Sequence, residues 1–76
     1  MGKPQLNDKD LLVKIVLGLK ALRTQRKVTQ EDFYNDTGIH ISRIETGRVN
    51  ITVSTLKAIL NYYGVSLSAF FAMNEL

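Results

Sequence analysis

Residues 29–48 carry the sequence TQEDFYNDTGIHISRIETGR, which predicts two short helices joined by a turn. Thr29 opens the first helix, since threonine is a preferred residue at helix N-termini. Thr37-Gly38 interrupts it, because glycine tolerates the left-handed backbone conformation that ends helices. Ile41 and Ile44, three positions apart, then give the second helix one buried face.

The opposite face of this second helix carries hydrogen-bonding side chains of several types. When Ile41 and Ile44 point inward, the residues on or beside the outer face are His40, Ser42, Arg43 and Thr46. Base edges in the major groove of DNA present donors and acceptors, and the groove admits an α-helix. The pattern therefore indicates a surface that reads DNA, with an ordinary solvated helix face as the alternative for each residue.

Helix-start signals recur along the rest of the chain. Each consists of a polar cap, an apolar residue just before it and another four positions after it. The four sets are Leu6-Asn7 with Leu11, Val28-Thr29 with Phe33, Ile51-Thr52 with Leu56, and Val65-Ser66 with Phe70. They predict an all-α, compact five-helix bundle, in which helix 1 spans about residues 8–26 and helix 4 about residues 53–63. Gly64 is expected to end helix 4, and the short helix 5 follows.

Length and composition predict one small domain. The chain has 76 residues, of which 45% are hydrophobic and 22% charged. We expect residues 1–7 to form a flexible N-terminal segment and residues 8–76 the domain. The formal charge of +3 suits a polyanionic partner, although many ordinary domains carry a similar excess.

Several classes of function are disfavoured by the residues present. The absence of cysteine excludes thiolate catalysis and most structural zinc sites, and His40 is the only histidine. There is neither a glycine-rich phosphate loop nor a suggestive pair of carboxylates, so we expect no enzyme, no metal and no cofactor. A chain without a signal peptide or a membrane-spanning run is expected to be cytoplasmic, with no membrane partner.

The chain resembles the Cro/C1-type (XRE-like) helix-turn-helix family over roughly residues 15–71. The residues that carry the resemblance are Leu19, Leu22 and Arg23; Thr29-Gln30-Glu31 with Phe33; Ser42-Arg43-Ile44-Glu45-Thr46-Gly47; and Leu56 with Gly64-Val65-Ser66-Leu67. The resemblance implies a lambda-repressor-like domain that binds double-stranded DNA as a transcriptional regulator, with a repressor as the expected type. Helix 3 would then lie in the major groove of a palindromic operator.

The resemblance also implies roles for individual residues. Gln30 matches a position that anchors the domain on a phosphate, and Arg43 one that contacts a base or a phosphate. The further candidate DNA-binding residues are His40, Ser42, Thr46, Arg48 and Asn50. Arg23 and Glu45 match a partly buried ion pair with a structural role.

The chain departs from the family pattern between Gln30 and Glu45, where it is shorter by roughly three residues. When the chain is aligned with the family pattern from the N-terminal side, Gly38 is the turn glycine and helix 3 is short. When it is aligned from the C-terminal side, Ile41 and Ile44 keep their positions and the turn is lost. We favour a compressed turn with Thr37 or Gly38 capping helix 3.

Apolar residues near the two chain ends exceed what one small core needs. They are Val13, Val16 and Leu17, together with Phe71, Met73 and Leu76. Such a surplus suggests a subunit interface and therefore a homodimer. The alternative is an antitoxin-like module whose main partner is a protein bound through the apolar C-terminal helix.

Overall fold

The computed structural model describes residues 8–76 and contains five α-helices in this range. The helices are α1 (Lys9–Gln25), α2 (Gln30–Thr37), α3 (Ile41–Ile44), α4 (Val53–Tyr63) and α5 (Leu67–Met73). No strand occurs in residues 8–76, so the predicted all-α class is confirmed. The expected flexible segment at residues 1–7 lies outside the described residues.

Polar N-caps begin four of the five helices. Those of α2, α4 and α5 are the predicted Thr29, Thr52 and Ser66, whose hydroxyls accept from Asp32, Thr55 and Ala69 N–H. For α1 the predicted cap at Asn7 is wrong by one residue, because Asp8 Oδ1 accepts from Leu11 N at 2.9 Å. A carboxylate at this place also interacts favourably with the positive end of the helix dipole.

The core forms around one face of α1 and the inner faces of α2, α4 and α5. On α1, Ile15, Leu19 and Leu22 are buried at helical spacing, and they pack in one cluster with Phe33, Ile59, Leu60 and Phe70. Val16, predicted to belong to the exposed apolar surplus, is instead buried. The reason is helical geometry, since Leu12, Ile15, Val16 and Leu19 lie at positions i, i+3, i+4 and i+7 and together form a single apolar face.

The ends of α1 and α4 are tied together by Arg26. Its Nη1 donates to Tyr63 O at 3.0 Å, which satisfies a carbonyl of the last turn of α4. Gly64 ends this helix in the left-handed conformation, with φ of 71°, as predicted. The hydrogen bond from Arg26 thus fixes the C-terminal end of α4 to the C-terminal end of α1.

Gly18 permits a close approach of the chain's C-terminal segment to α1. A Cβ at this position would lie 2.6 Å from Asn74 Oδ1 and 2.8 Å from Asn74 Cγ. The Asn74 side chain is held in place, because its Nδ2 donates to Phe70 O at 2.7 Å.

We therefore expect Gly18→Ala to destabilise the fold by about 1 kcal/mol, although the same change in an open helix stabilises by about 1 kcal/mol. In an Asn74→Ala background the steric conflict is gone, and Gly18→Ala should become stabilising. Urea unfolding of the two single variants and the double variant measures this reversal. The same sign in both backgrounds would show that Asn74 does not restrict position 18.

Candidate nucleic-acid interface

The turn between α2 and α3 consists of three residues, 38–40. Gly38 ends α2 with φ of 75° and donates its N–H to Tyr34 O at 2.7 Å. Thr37 Oγ1 donates to Phe33 O at 2.7 Å and accepts from Ile39 N at 3.1 Å. The turn therefore satisfies its own backbone groups locally.

The predicted compressed turn, with Thr37 or Gly38 capping α3, is wrong. Both residues serve the end of α2, and His40 is the N-cap residue of α3, without a hydrogen bond from its side chain. The shortening falls on α3, which has four residues and a length of about 6 Å. Ile41 and Ile44 are still buried, because residues three apart share a face even in a single helical turn.

The outer surface of α3 is exposed, as predicted. His40, Ser42, Arg43 and Thr46 are exposed, and so are Arg48 and Asn50 in the following loop. Thr46 also has a local function, because its Oγ1 donates to Arg43 O at 2.6 Å and accepts from Arg48 N at 3.2 Å. Its only hydroxyl hydrogen is thus used inside the turn that ends α3.

Glu45, directly after α3, joins three elements through hydrogen bonds. Its carboxylate accepts from Arg23 Nε at 2.7 Å and from Arg23 Nη2 at 2.9 Å, a bidentate ion pair to the end of α1. Gln30 Nε2, in the first turn of α2, donates to Glu45 Oε1 at 3.0 Å. Arg23 Nη1 donates further to Val28 O at 2.9 Å. We call Arg23, Gln30 and Glu45 the carboxylate network.

The carboxylate network keeps Glu45 ionised although it is buried. The side chains of Arg23 and Glu45 are 13% and 4% exposed. Burial alone would raise the pKa of Glu45, but hydrogen bonds from Arg23 and Gln30 and the positive charges of Arg23 and Lys20 outweigh it and hold this pKa below its ordinary value. The hydrogen bond with Glu45 raises the pKa of Arg23, against the opposing effect of burial.

The side chain of Gln30 is exposed, and its hydrogen bond to Glu45 fixes its orientation. One hydrogen of its amide nitrogen is directed to Glu45, and an amide nitrogen has two. The second hydrogen and the first-turn N–H groups of α2 are suited to a phosphate. The carboxylate network thus fixes the orientation of a candidate phosphate anchor relative to α3.

Two residues beside the interface were not identified from the sequence. Tyr34, on α2, is 43% exposed and packs against His40 with the ring centroids 4.5 Å apart. Its spacing of four from Gln30 was a signal that both lie on one face of α2. Lys9, at the start of α1, lines a cleft with Arg48 and Asn50. The separation of Lys9 from these residues in sequence provided no such signal.

The comparison with protein families agrees with this arrangement. Residues 19–70, from the middle of α1 into α5, match a family model described as helix-turn-helix. The comparisons with curated proteins and with solved structures give no match. Within residues 8–76, no helix has both the length and the apolar character required to cross a membrane. The family match covers α2, the turn and α3 as well as both flanking helices, so the chain belongs to the Cro/C1-type (XRE-like) helix-turn-helix family of DNA-binding regulators.

Proposed function

We propose that this protein is a transcriptional repressor that binds a palindromic DNA operator in a sequence-specific manner as a homodimer. The observation that carries the proposal is the placement of α3. Its buried Ile41 and Ile44 leave Ser42 and Arg43 facing outward, and Glu45 fixes its end to both α1 and α2. A helix held rigidly with polar side chains outward is suited to the major groove.

The length of α3 limits what it reads. A helix of about 6 Å extends over about two base-pair steps of 3.4 Å each. We therefore expect a short contacted core of about two to three base pairs in each half-site, with Arg43 as the main base-reading residue.

Phosphate contacts are proposed on both sides of α3. Gln30 lies on α2 and bonds to Glu45 at the end of α3, while Arg48 and Asn50 lie in the loop after it. Lys9 lines the same cleft as Arg48 and Asn50 and adds a second cation there. Such contacts position the domain on the duplex without carrying sequence information.

The homodimer is supported by apolar surface that the single chain leaves uncovered. Val13, Leu17 and Met73 are 48%, 61% and 62% exposed. An apolar groove also runs between α1, the start of α4 and the C-terminal segment, and its lining includes Leu11, Val53, Phe71 and Leu76. The same groove supports the alternative function, an antitoxin-like module whose main partner is another protein.

Selection of DNA from a random pool, followed by sequencing and affinity measurement, tests the proposed function. We expect enrichment of a palindrome whose half-sites are centred about 34 Å apart, because two recognition helices of a dimer enter successive turns of the major groove. Failure to enrich any sequence, with affinity independent of sequence, would contradict the proposal. Tight binding of a protein partner in that case would favour the alternative.

The dimer interface is tested by placing polar residues at the groove. We expect Leu11→Gln combined with Leu76→Ser to raise the dissociation constant of the dimer at least about tenfold and to weaken operator binding in parallel. Ala58→Gln is the matched comparison, since Ala58 is exposed on α4 and does not line the groove. Analytical ultracentrifugation gives the association state. A wild-type chain that is monomeric both at high concentration and on the operator would exclude the homodimer.

A further inference from the structure

We propose that Tyr34 and His40 form an aromatic pair that contacts DNA bases and recognises the methyl group of a thymine. The inference rests on the proposed function and deepens it, since it assigns a specificity-determining role to a residue of α2. We call Tyr34 and His40 the aromatic pair.

The position of the aromatic pair follows from the shortness of α3. Recognition helices contact base edges chiefly with the residues at their N-terminal end. Here the first residue of α3 is Ile41, which is buried and therefore unable to reach DNA. The exposed side chain at this end is that of His40, and the ring of Tyr34 lies against it at a centroid distance of 4.5 Å and an interplanar angle of 33°.

The orientation of α2 brings Tyr34 to the same edge as the proposed phosphate anchor. Gln30 and Tyr34 are four residues apart on α2 and are therefore neighbours on its surface. Gln30 bonds to Glu45 after the last turn of α3, whereas Tyr34 packs against His40 before its first turn. The edge of α2 thus runs along the whole of α3, and a duplex that contacts both ends of α3 meets Tyr34.

The chemistry of the pair favours an apolar contact. The C5-methyl group of thymine is the apolar feature of the major groove, and aromatic and aliphatic side chains contact it. Tyr34 has few rotatable bonds and already packs against His40, so little conformational entropy is lost when DNA binds. The ring of Tyr34 is exposed, and the aromatic residue that α2 contributes to the core is Phe33. Core packing therefore does not explain a large ring at position 34.

Tyr62 provides the contrast. Its hydroxyl donates to Asp36 Oδ2 at 2.6 Å, and its ring packs edge-on against Phe33 with the centroids 4.9 Å apart. The hydrogen bond to Asp36 raises the pKa of Tyr62 to about 12. Tyr62 thus connects α4 with the opposite side of α2, and it serves as the control tyrosine away from α3.

The test replaces each thymine of the selected operator, one at a time, by deoxyuridine, which lacks only the methyl group. We expect the wild-type protein to lose about fourfold in affinity per half-site at one position. Tyr34→Ala should bind the unmodified operator more weakly and show no difference between thymine and uracil at that position. Tyr34→Phe, which keeps the ring, should retain the difference, and Tyr62→Phe should behave as the wild type.

Two outcomes would overturn the inference, and they are distinguishable from a failure of the proposed function. If Tyr34→Ala keeps the wild-type loss at every uracil position, or if no position responds in the wild type, Tyr34 reads no methyl group while operator binding stands. If the wild-type protein binds no DNA, both the proposed function and the aromatic pair are rejected. Thermal melts of Tyr34→Ala, which changes a half-exposed side chain, verify that the variant is folded.

Discussion

Arg23→Ala and Glu45→Ala are each expected to lower the free energy of unfolding by about 3 kcal/mol at neutral pH. Each change leaves the other member of a partly buried, bidentate ion pair without its partner, since the side chains of Arg23 and Glu45 are only 13% and 4% exposed. Glu45→Ala also removes the acceptor of Gln30, so the connection between α1, α2 and the end of α3 is lost. Urea unfolding at pH 7 measures both variants.

The matched control is Lys57→Ala, which removes an exposed hydrogen bond between Lys57 Nζ and Asn61 Oδ1 on α4. Exposed polar pairs contribute little, so we expect a change below about 0.5 kcal/mol. Values below this figure for both Arg23→Ala and Glu45→Ala would show that the carboxylate network does not hold the fold together.

The contribution of Glu45 should also depend on pH in a defined direction. The pKa of Glu45 is lower in the folded protein than its ordinary value of 4.5. The unfolded chain therefore binds a proton on Glu45 before the folded chain does, and acidification favours unfolding. The stabilisation is complete above about pH 4.5 and decreases as the pH falls through the pKa of the folded state. The difference in stability between the wild type and Glu45→Gln should shrink over that acidic range, and a constant difference would contradict the assigned pKa.

Local rules were sufficient to predict most of the fold. The N-caps Thr29, Thr52 and Ser66 depend on hydrogen bonds to residues three positions away, and Gly64 depends on its own backbone conformation. α4 begins and ends at the predicted residues for this reason. Asp8 and Asn7 are adjacent residues with similar capping ability, so local rules did not separate them.

The shortened segment is where sequence reasoning failed. Ile41 and Ile44 are buried in α3 whether the turn is compressed or the helix is short, so their spacing did not distinguish the two arrangements. The choice depends on Gly38, which ends α2 in the left-handed conformation and leaves Ile39 and His40 as the rest of the turn. The packing of Tyr34 against His40 depends on that arrangement of the turn, so it was not predictable from the sequence.

The candidate DNA surface likewise contains residues that were predicted from the sequence and residues that were not. The resemblance to the family pointed to Arg23, Gln30 and Glu45, which the structure brings together in one network. The cleft shared by Lys9 and Arg48 depends on how α1 packs beside the loop after α3, which no short-range pattern encodes. Thr46 is the opposite case. The sequence predicted it as a DNA-binding residue, but its hydroxyl hydrogen is donated within its own turn.

Arg43 is the side chain on which the proposed recognition depends most. It is exposed on α3 beside Ser42, and Ile44 behind it is buried, so its direction is set by the core. Among residues 8–76 the guanidinium of Arg43 is in no ion pair that would hold it against the protein. A free guanidinium can form two hydrogen bonds with the acceptors of a guanine, or it can bind a phosphate. The two modes of contact differ in how they respond to sequence and to salt.

We expect Arg43→Ala to weaken binding to the selected operator by about 1 to 3 kcal/mol per half-site, which is about 5- to 150-fold, and to relax the preference at one base pair. Affinity for random DNA should change little. Arg48→Ala is the matched control, because loss of a phosphate contact weakens all sequences alike and reduces the salt slope by about one unit per contact. Fluorescence anisotropy with operator and random duplexes, across a salt titration, separates the two patterns. If Arg43→Ala follows the Arg48 pattern, Arg43 binds a phosphate. If its affinity for the operator equals that of the wild type at every salt concentration, α3 does not recognise DNA through Arg43, and the proposed mode of recognition is rejected.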